Sequence, residues 1–241
     1  MQRKKLLTIQ HASVNPPGLL GDILTKHDLD YDVVHAEGEE MPTDAAGYDA
    51  TIIFGGLEHV YDELKQPFIT REKRLVASVL ERKLPFLGIC FGCQLLASAL
   101  GAEVYKCTPS LGFVRIDLTE DGQRDPFYHG FADYQQAFQW HDDDFDLPAG
   151  AVLLATAHGR ESQAFRWGEN AYGVLYHIEL TAAMLQNWLE DPDSRKEFIE
   201  RTGIETYNKT DREYDQLYPA YHDHASKVIE NFLRLARLIP A

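Results

Sequence analysis

Short apolar runs alternate with segments of helical periodicity through the N-terminal part of this chain. Four runs are typical of strands: KKLLTIQHA, YDVVHA, YDATIIFGG and LPFLGI. Helices are predicted for LLGDILTKHD, for CQLLASAL and for the stretch from Gln66 to Lys83, where apolar side chains recur every three or four residues. Because strands that alternate with helices form βαβ units, we expect a three-layer α/β fold, with a mostly parallel central sheet and helices on both faces.

The pattern changes after Gly101, a suitable residue to end the preceding helix. Several short strand-like runs follow, some joined by turns that contain Gly or Asn, and they predict a smaller antiparallel region. The runs AFRW and AYGVLYH, separated by GEN, are typical of a hairpin. From Thr181 the chain is predicted to be helical, and Ala225 to Ile239 carries its apolar residues on one stripe. The Tyr-rich segment 203–221 is expected to form a loop or a lid.

Length and composition limit the classes of function. With 241 residues, 44% of them hydrophobic and 25% charged, the chain fits a single domain over 1–241. The net charge of −15 argues against a nucleic-acid partner, because phosphate contacts need clustered Lys and Arg. No stretch approaches the ~20 apolar residues of a membrane span, and no signal peptide is recognisable. Together with a count of only three Cys residues, these features predict a cytoplasmic protein without a membrane partner.

The stretch LGICFGCQ carries the strongest chemical signal. Cys90 lies at the junction of an apolar strand and a helix, with Gly88 and Gly92 two residues to either side. A side chain on such a tight turn projects from the backbone, and the N-terminus of the helix favours its thiolate form. The backbone N–H of Phe91 would point to the position where an oxyanion forms. The stretch therefore predicts a nucleophilic cysteine.

Other interpretations of this stretch stay open. Cys90 and Cys93 form a C-x-x-C pair, which is also typical of redox sites and of half a metal site. A redox pair has no use for the paired glycines, and no second C-x-x-C follows, so we expect no metal. A buried structural thiol is the remaining alternative for Cys90, and it is the favoured interpretation of Cys93.

A nucleophilic cysteine needs a base, and the base needs an orienting group. His177 stands in GVLYHIEL at the end of an apolar run, and Glu179 follows two residues later. In an extended segment these two side chains point to the same side, so Glu179 would fix the tautomer of His177 while the other ring nitrogen faces Cys90. An H-x-E pair alone is weak evidence, because a satisfied surface histidine gives the same pattern.

Four segments together resemble class I glutamine amidotransferases, in the order found in that family: IIFGGLEHVYD, PFLGICFGCQLLASALGAEV, QWHDDDFDLP and QAFRWGENAYGVLYHIE. The branch that the chain most resembles contains stand-alone domains similar to the glutaminase part of guanylate synthetase. The resemblance runs from about Tyr48 to Leu180 and implies a flavodoxin-like fold without a cofactor. It divides the domain into a catalytic core, 1–182, and a C-terminal helical extension, 183–241, in which no family motif is found.

The resemblance implies that Cys90 attacks the side-chain amide of glutamine, which gives a γ-glutamyl thioester and ammonia. Water then releases glutamate. His177 would be the general base and then the acid, and Glu179 its orienter. The oxyanion would be held by the backbone N–H groups of Gly56 and Phe91.

The same resemblance implies substrate-binding roles for Gly55, Gln94, His141 and Asp142. Asp142 is the candidate partner for the α-ammonium group of glutamine. Each role has a plainer alternative. Gly55 and Gly56 could be a strand-ending turn, Gln94 a polar residue at the start of a helix, and Asp142 a solvated acid.

Several positions depart from the family pattern. Leu57 and His59 replace the proline and small residue that usually follow the paired glycines. Ser110 replaces an acidic residue, and Ile178 stands where the family has proline. No member of the predicted triad is lost, but the first three changes are expected to reshape the pocket and so to alter the γ-glutamyl substrate.

The leading function is therefore Cys-dependent glutamine amidotransferase or glutaminase-type hydrolysis of a γ-glutamyl amide. The sequence has no P-loop and no pyrophosphatase loop, so an ammonia acceptor would be a separate synthase subunit. A second interpretation is a γ-glutamyl peptidase or hydrolase that acts on small γ-glutamyl compounds. A third is a catalytically silent regulatory subunit of a synthase, which an oxyanion loop collapsed around Leu57 would favour.

Overall fold

The computed structural model describes residues 4–11, 16–38, 41–157 and 161–240. Nine strands in this part of the chain form one sheet: β1 (Lys5–Gln10), β2 (Asp30–His35), β3 (Ala50–Ile53), β4 (Phe86–Ile89), β5 (Val104–Leu118), β6 (Tyr134–Phe145), β7 (Val152–Ala157), β8 (Glu161–Trp167) and β9 (Ala171–Val174). The helices are α1 (Gly18–Lys26), α2 (Pro67–Glu81), α3 (Phe91–Ala99), α4 (Glu120–Arg124), α5 (Ala182–Glu190), α6 (Pro192–Thr202) and α7 (Ile204–Leu235). None of these described helices combines the length and the apolar character needed to cross a membrane.

The sheet has a parallel and an antiparallel part. Its strand order is β2-β1-β3-β4-β9-β8-β7-β5-β6. The pairs β2–β1, β1–β3, β3–β4 and β4–β9 are parallel. The pairs β9–β8, β8–β7, β7–β5 and β5–β6 are antiparallel. The predicted hairpin is formed by β8 and β9, with Ala164 opposite Val174. The predicted α/β fold is confirmed, and the antiparallel strands continue the same sheet.

Both faces of the inner parallel strands β3 and β4 are buried. On β3, Ile52 belongs to one hydrophobic core and Ile53 to the other, and on β4 the neighbours Leu87 and Phe86 divide in the same way. This follows from the alternation of side chains along a strand. Residues of α1, α5 and α7 cover the first core, and residues of α2 and α3 cover the second.

Three neighbouring strands, β3, β4 and β9, end at the same edge of the sheet because they run in parallel. Gly55 and Gly56 follow β3, Cys90 follows β4, and His177 follows β9 after a short turn. In open α/β sheets, sites form at the carboxyl ends of the strands. The topology therefore collects three segments that are far apart in the sequence.

The C-terminal segment is helical throughout its Tyr-rich part, so the expectation of a loop or lid over 203–221 is wrong. These residues belong to α7, in which Tyr207 and Tyr221 are buried. Tyr207, Tyr214, Tyr218 and Tyr221 are seven, four and three residues apart, which places them on one helical stripe. Polar neighbours and Pro219 inside the helix hide this period in the sequence.

Candidate active site

Cys90 occupies a strained turn between β4 and α3. Its φ of +52° and ψ of −108° lie in a region that side-chain-bearing residues rarely adopt. A Cβ on Gly88 would lie 2.2 Å from the carbonyl oxygen of Gly92, and a Cβ on Gly92 would lie 2.2 Å from that of Ile53. The close approach of strand and helix therefore requires both glycines, and the turn between them presents Cys90 at the edge of the sheet.

The two cysteines of the C-x-x-C pair have different surroundings. Cys90 is the N-cap residue of α3 and so stands at the positive end of the helix dipole. Its Sγ atom lies 3.7 Å from the carbonyl oxygen of Trp140, which accepts the thiol hydrogen. Cys93 is fully buried, and burial raises the pKa of its thiol well above the ordinary value. A thiol of this kind packs as a core residue, as predicted, and makes a poor redox partner.

His177 and Glu179 are held by a chain of hydrogen bonds. The backbone N–H of His177 donates to the carbonyl of Phe138 at 2.8 Å. The Nδ1 atom of His177 lies 2.7 Å from Oε1 of Glu179, and the backbone N–H of Ile178 donates to Oε2 of the same carboxylate at 2.9 Å. A proline at position 178 would lack this donor. The departure from the family pattern at Ile178 thus adds a hydrogen bond to the orienting carboxylate.

The pKa of His177 is raised well above the ordinary value of a histidine. Burial opposes the charged form, but the Glu179 carboxylate and the Cys90 sulfur outweigh it through charge attraction and hydrogen bonds. Since Nδ1 faces Glu179, Nε2 is the ring nitrogen left for Cys90. Trp188 packs at right angles against the His177 ring, with 5.2 Å between ring centroids. Cys90, His177 and Glu179 are therefore brought together in the order that the sequence predicts.

A cleft opens beside Cys90 and His177. A Cβ on Gly55 would lie 3.1 Å from Cε1 of His177 and 3.5 Å from the Cβ of Cys90, so this glycine lies directly against both side chains. The predicted substrate-binding residues all line the cleft, together with Gly56: Gly55, Gln94, His141 and Asp142. The ring of Phe91 is buried away from it, which leaves only the backbone of Phe91 to act there.

Gln94 and His141 converge on one backbone carbonyl. Nε2 of Gln94 and Nδ1 of His141 each donate to the carbonyl of Asp143 at 3.2 Å. Burial and the neighbouring His177 lower the pKa of His141 to about 4, so its ring is neutral near pH 7. With the proton on Nδ1, the Nε2 atom of His141 carries a lone pair, and it is buried without a hydrogen-bond partner among the described residues.

Asp142 is paired with a residue of the C-terminal extension. One terminal nitrogen of Arg201 lies 2.9 Å from Oδ2 of Asp142, and the other lies 2.8 Å from Oε1 of Glu197. Arg201 and Glu197 are on α6 and line the cleft, as does Trp188 of α5. The extension therefore builds one wall of the site. Nothing in the sequence pointed to these residues, because they lie outside the family motifs on a helix with an ordinary charged face.

The departures from the family pattern have different consequences. Leu57 lines the cleft and is 76% exposed, so the glycine loop is not packed around it. His59 donates from Nδ1 to Oδ2 of Asp143 at 2.6 Å. Ser110 donates to the side-chain oxygen of Gln139 and is not among the residues that line the cleft. Of the three expected to reshape the pocket, only Leu57 lies on its surface.

One group of side chains in the described ranges has the composition of a metal site. Ligand atoms of His59, Asp142 and Asp143 lie within 4.8 Å of one another. His59 already pairs with Asp143 and Arg201 with Asp142. Because both carboxylates have cationic or donor partners, we assign no metal to this group.

Comparison with known proteins identifies the family. The family described as glutamine amidotransferase class-I matches residues 20–191. The glutamine amidotransferase-like protein YfeJ of Salmonella typhimurium is 29% identical over 170 residues, which cover 69% of this chain and 70% of that protein. A γ-glutamyl-L-1-hydroxyisopropylamide hydrolase of Pseudomonas sp is 29% identical over 182 residues, which cover 71% of this chain and 60% of the hydrolase. A glutamine-hydrolysing GMP synthase of Porphyromonas gingivalis is 28% identical over 173 residues, which cover 69% of this chain but 33% of the synthase.

Solved structures agree with this assignment. A glutamine amidotransferase from Thermotoga maritima superposes with a TM-score of 0.81 at 28% identity, covering 100% of both chains. A glutamine amido transferase from Methylobacillus flagellatus gives a TM-score of 0.85 over 97% of this chain and 96% of that one; at 23% identity this likeness concerns the fold alone. The likeness to the Thermotoga maritima structure covers the C-terminal helices as well as the sheet. The family match includes Cys90, His177 and Glu179 and most of the residues that line the cleft, and the chain belongs to the class I glutamine amidotransferase family.

Proposed function

We propose that this protein hydrolyses the γ-amide of a γ-glutamyl compound, with glutamine as the first candidate, through a thioester on Cys90. The sulfur attacks the amide carbon, and His177 passes a proton to the departing ammonia. Water then attacks the thioester with His177 as base, and glutamate leaves with the free thiol restored. Glu179 keeps the imidazole in the required tautomer throughout.

One observation carries this proposal: the ring of His177 lies between the Glu179 carboxylate and the Cys90 sulfur, on a nucleophile turn at the edge of the sheet. A structural histidine would not need a buried carboxylate on one nitrogen and a thiol on the other. The raised pKa of His177 supports its role as the base, because the surroundings of the ring favour the form that has taken up a proton. A surface histidine and a buried inert thiol, the two plain alternatives, do not account for this arrangement.

The tetrahedral intermediate would be stabilised by the backbone N–H groups of Gly56 and Phe91. Gly56 follows Gly55, which lies against His177 and Cys90, and Phe91 is the first residue of α3. Donors of this kind stabilise developing negative charge most strongly in a site that excludes water.

The α-amino-acid head of the substrate would bind at the opposite wall of the cleft. Asp142 offers a carboxylate for the ammonium group, and Nε2 of His141 is a buried acceptor for an N–H of the ligand. In the free protein Asp142 is occupied by Arg201, so substrate binding requires Asp142 to share or exchange this partner. Gln94 and Gly55 line the path between the head group and Cys90.

A second candidate shares the chemistry and differs in the leaving group. The Pseudomonas sp relative is named as the hydrolase of a γ-glutamyl amide that carries an organic group on nitrogen. The match with this chain covers 60% of the hydrolase but only 33% of the Porphyromonas gingivalis GMP synthase. On this alternative, small γ-glutamyl amides or peptides are the substrates and free glutamine is inert. If glutamine is the substrate, a Sulfurisphaera tokodaii relative, named as one subunit of a glutamine-hydrolysing GMP synthase, supports an ammonia acceptor on a separate synthase chain.

The experiment is a substrate screen with matched cysteine variants. Wild-type protein, Cys90→Ala and Cys107→Ala are incubated with glutamine and with a panel of γ-glutamyl alkylamides and dipeptides. Ammonia, amine and glutamate are then quantified. We expect Cys90→Ala to abolish release and Cys107→Ala, on β5 outside the cleft lining, to retain it. Turnover that survives in Cys90→Ala would refute the proposal; no turnover of any substrate, with Cys90 unreactive to iodoacetamide, would favour the silent regulatory subunit.

A further inference from the structure

A buried ionic cluster lies behind the glycine pair, on the side away from the triad. Nε2 of His11 is 2.9 Å from Oε1 of Glu72, and Nδ1 of His11 is 3.2 Å from the carbonyl oxygen of Gly55. The side chains of His11 and Glu72 are 1% and 0% exposed. The His11 ring also packs against Phe91, with 4.6 Å between centroids. The proposed reaction assigns no role to this cluster.

Both neighbours of the His11 ring are acceptors. When Glu72 is ionised, its carboxylate oxygen and the Gly55 carbonyl can only receive hydrogen bonds, so both ring nitrogens then carry hydrogen and His11 is an imidazolium. Two carboxylates act on it: Glu72 of α2 and Glu58 of the loop after β3, while α3 presents only the apolar ring of Phe91. Burial opposes the charge, but Glu72, Glu58 and the Gly55 carbonyl outweigh it and raise the pKa of His11.

The bond to Gly55 fixes the direction of one peptide group. In a trans peptide the C=O of one residue and the N–H of the next point in opposite directions. The described residues contain no cis peptide bond. With the Gly55 carbonyl directed at His11, the N–H of Gly56 points away from His11. The glycine pair separates His11 from the cleft, since a Cβ on Gly55 would meet His177 and a Cβ on Gly56 would meet His11.

We propose that His11 is a positioning residue for the oxyanion site: as an imidazolium held by Glu72, it anchors the Gly55 carbonyl and so directs the N–H of Gly56 into the cleft. This inference rests on the proposed function of Gly56. A neutral His11 that donates from Nε2 to Glu72 would present a lone pair at Nδ1. That lone pair accepts the Gly56 N–H instead, which favours the reversed, unproductive peptide. Glycine at both positions makes such a reversal inexpensive for the backbone.

The first test uses Glu72→Gln, which keeps a hydrogen-bond acceptor and removes the charge. His11 then loses its proton at lower pH, so the fall of kcat on the alkaline side should move to lower pH while the acid-side kcat is retained. The matched control is Asp125→Asn, which neutralises another buried carboxylate; it pairs with Arg166, and neither residue lines the cleft. It should leave the shape of the pH profile unchanged. An equal loss of kcat at every pH in Glu72→Gln would overturn the inference.

The second test replaces the histidine itself. In His11→Asn the side-chain amide can donate near the position of Nδ1, whereas in His11→Gln the donor is displaced towards Glu72. We expect His11→Gln to lower kcat by about 10²-fold, the scale of losing one oxyanion donor, with KM nearly unchanged. His11→Asn should recover part of kcat and show no titration on the alkaline side. Equal kcat in wild type and His11→Gln would overturn the inference.

Iodoacetamide labelling separates failure of this inference from failure of the proposed function. Alkylation of Cys90 needs the thiolate but forms no oxyanion, so its rate should be unchanged in both His11 variants. If turnover in wild type depends on Cys90 while the His11 and Glu72 variants behave like wild type, only the positioning role is wrong. If Cys90→Ala retains turnover, the proposed function itself is wrong.

Discussion

Nδ1 of His177 lies 2.7 Å from Oε1 of Glu179, and the remaining carboxylate oxygen is held by the backbone N–H of Ile178. Glu179 is therefore fixed on both oxygens and cannot turn away from the imidazole. This rigidity is the property expected of an orienting group, because a catalytic base must keep one tautomer and one direction through both steps of the reaction.

Replacing Glu179 tests the orienting role. Glu179→Gln keeps the shape of the side chain but can present an amide N–H to Nδ1, which favours the wrong tautomer. We expect kcat to fall by roughly 10²–10⁴-fold with little change in KM. Steady-state kinetics check this, with Glu120→Gln on exposed α4 as the control that leaves kcat unchanged. A loss that appears in KM alone would show that Glu179 binds substrate instead.

The raised pKa of His177 also predicts a pH dependence of stability. A histidine whose pKa is higher in the folded than in the unfolded state stabilises the fold fully below its unfolded value of about 6.5. That contribution is lost as the pH rises through the folded value. The difference in unfolding free energy between wild type and Glu179→Gln should therefore be largest near pH 6 and shrink at alkaline pH. Urea titrations over this range measure it; a difference that grows with pH would contradict the assignment.

The strain at Cys90 predicts an opposition between stability and activity. Cys90→Gly removes the Cβ from a backbone with φ of +52° and should stabilise the fold by about 1–2 kcal/mol relative to Cys90→Ala, while both variants are inactive. At Cys93, inside α3 with ordinary helical geometry, the order should reverse, with glycine the less stable by roughly 0.5–1 kcal/mol. Thermal unfolding of the four variants checks the comparison. If Cys90→Gly is no more stable than Cys90→Ala, the turn is not strained.

Asp142 is predicted to recognise the α-ammonium group of the substrate. Asp142→Asn should raise KM for an active γ-glutamyl amide by about tenfold or more, the scale of one charged hydrogen bond. For the same compound without its α-amino group, KM should be equal in Asp142→Asn and in wild type. Asp117→Asn, an exposed aspartate paired with Arg115, serves as the surface control. An equal rise for both compounds would mean that Asp142 acts only through its pair with Arg201.

The sequence predicts the parts of this molecule that rest on local patterns. Apolar runs and periodicity located the parallel strands and the helix now seen over Pro67–Glu81, and G-x-C-x-G identified the turn at Cys90. The H-x-E pair was recognisable because strand geometry puts i and i+2 on one side. These signals depend on a few consecutive residues, whose spacing is itself the structural rule.

The remaining features depend on tertiary contacts. Arg201 reaches Asp142 only because α6 packs beside the cleft, and no spacing rule connects the two positions. His11 and Glu72 meet behind the glycine pair in the same way. In α7 the buried tyrosines share a helical stripe, but the polar residues between them resemble a loop in composition. The family motifs end before this segment, so they gave no sign that it is helical.

The most direct test of the account is the detection of the covalent intermediate. Wild-type protein turning over a γ-glutamyl amide is quenched in acid, digested, and analysed by mass spectrometry of the peptide that contains Cys90 and Cys93. The account predicts a γ-glutamyl group on Cys90, absent from Cys93 and from the Cys90→Ala variant. Turnover without any adduct on Cys90, unchanged in Cys90→Ala, would contradict it.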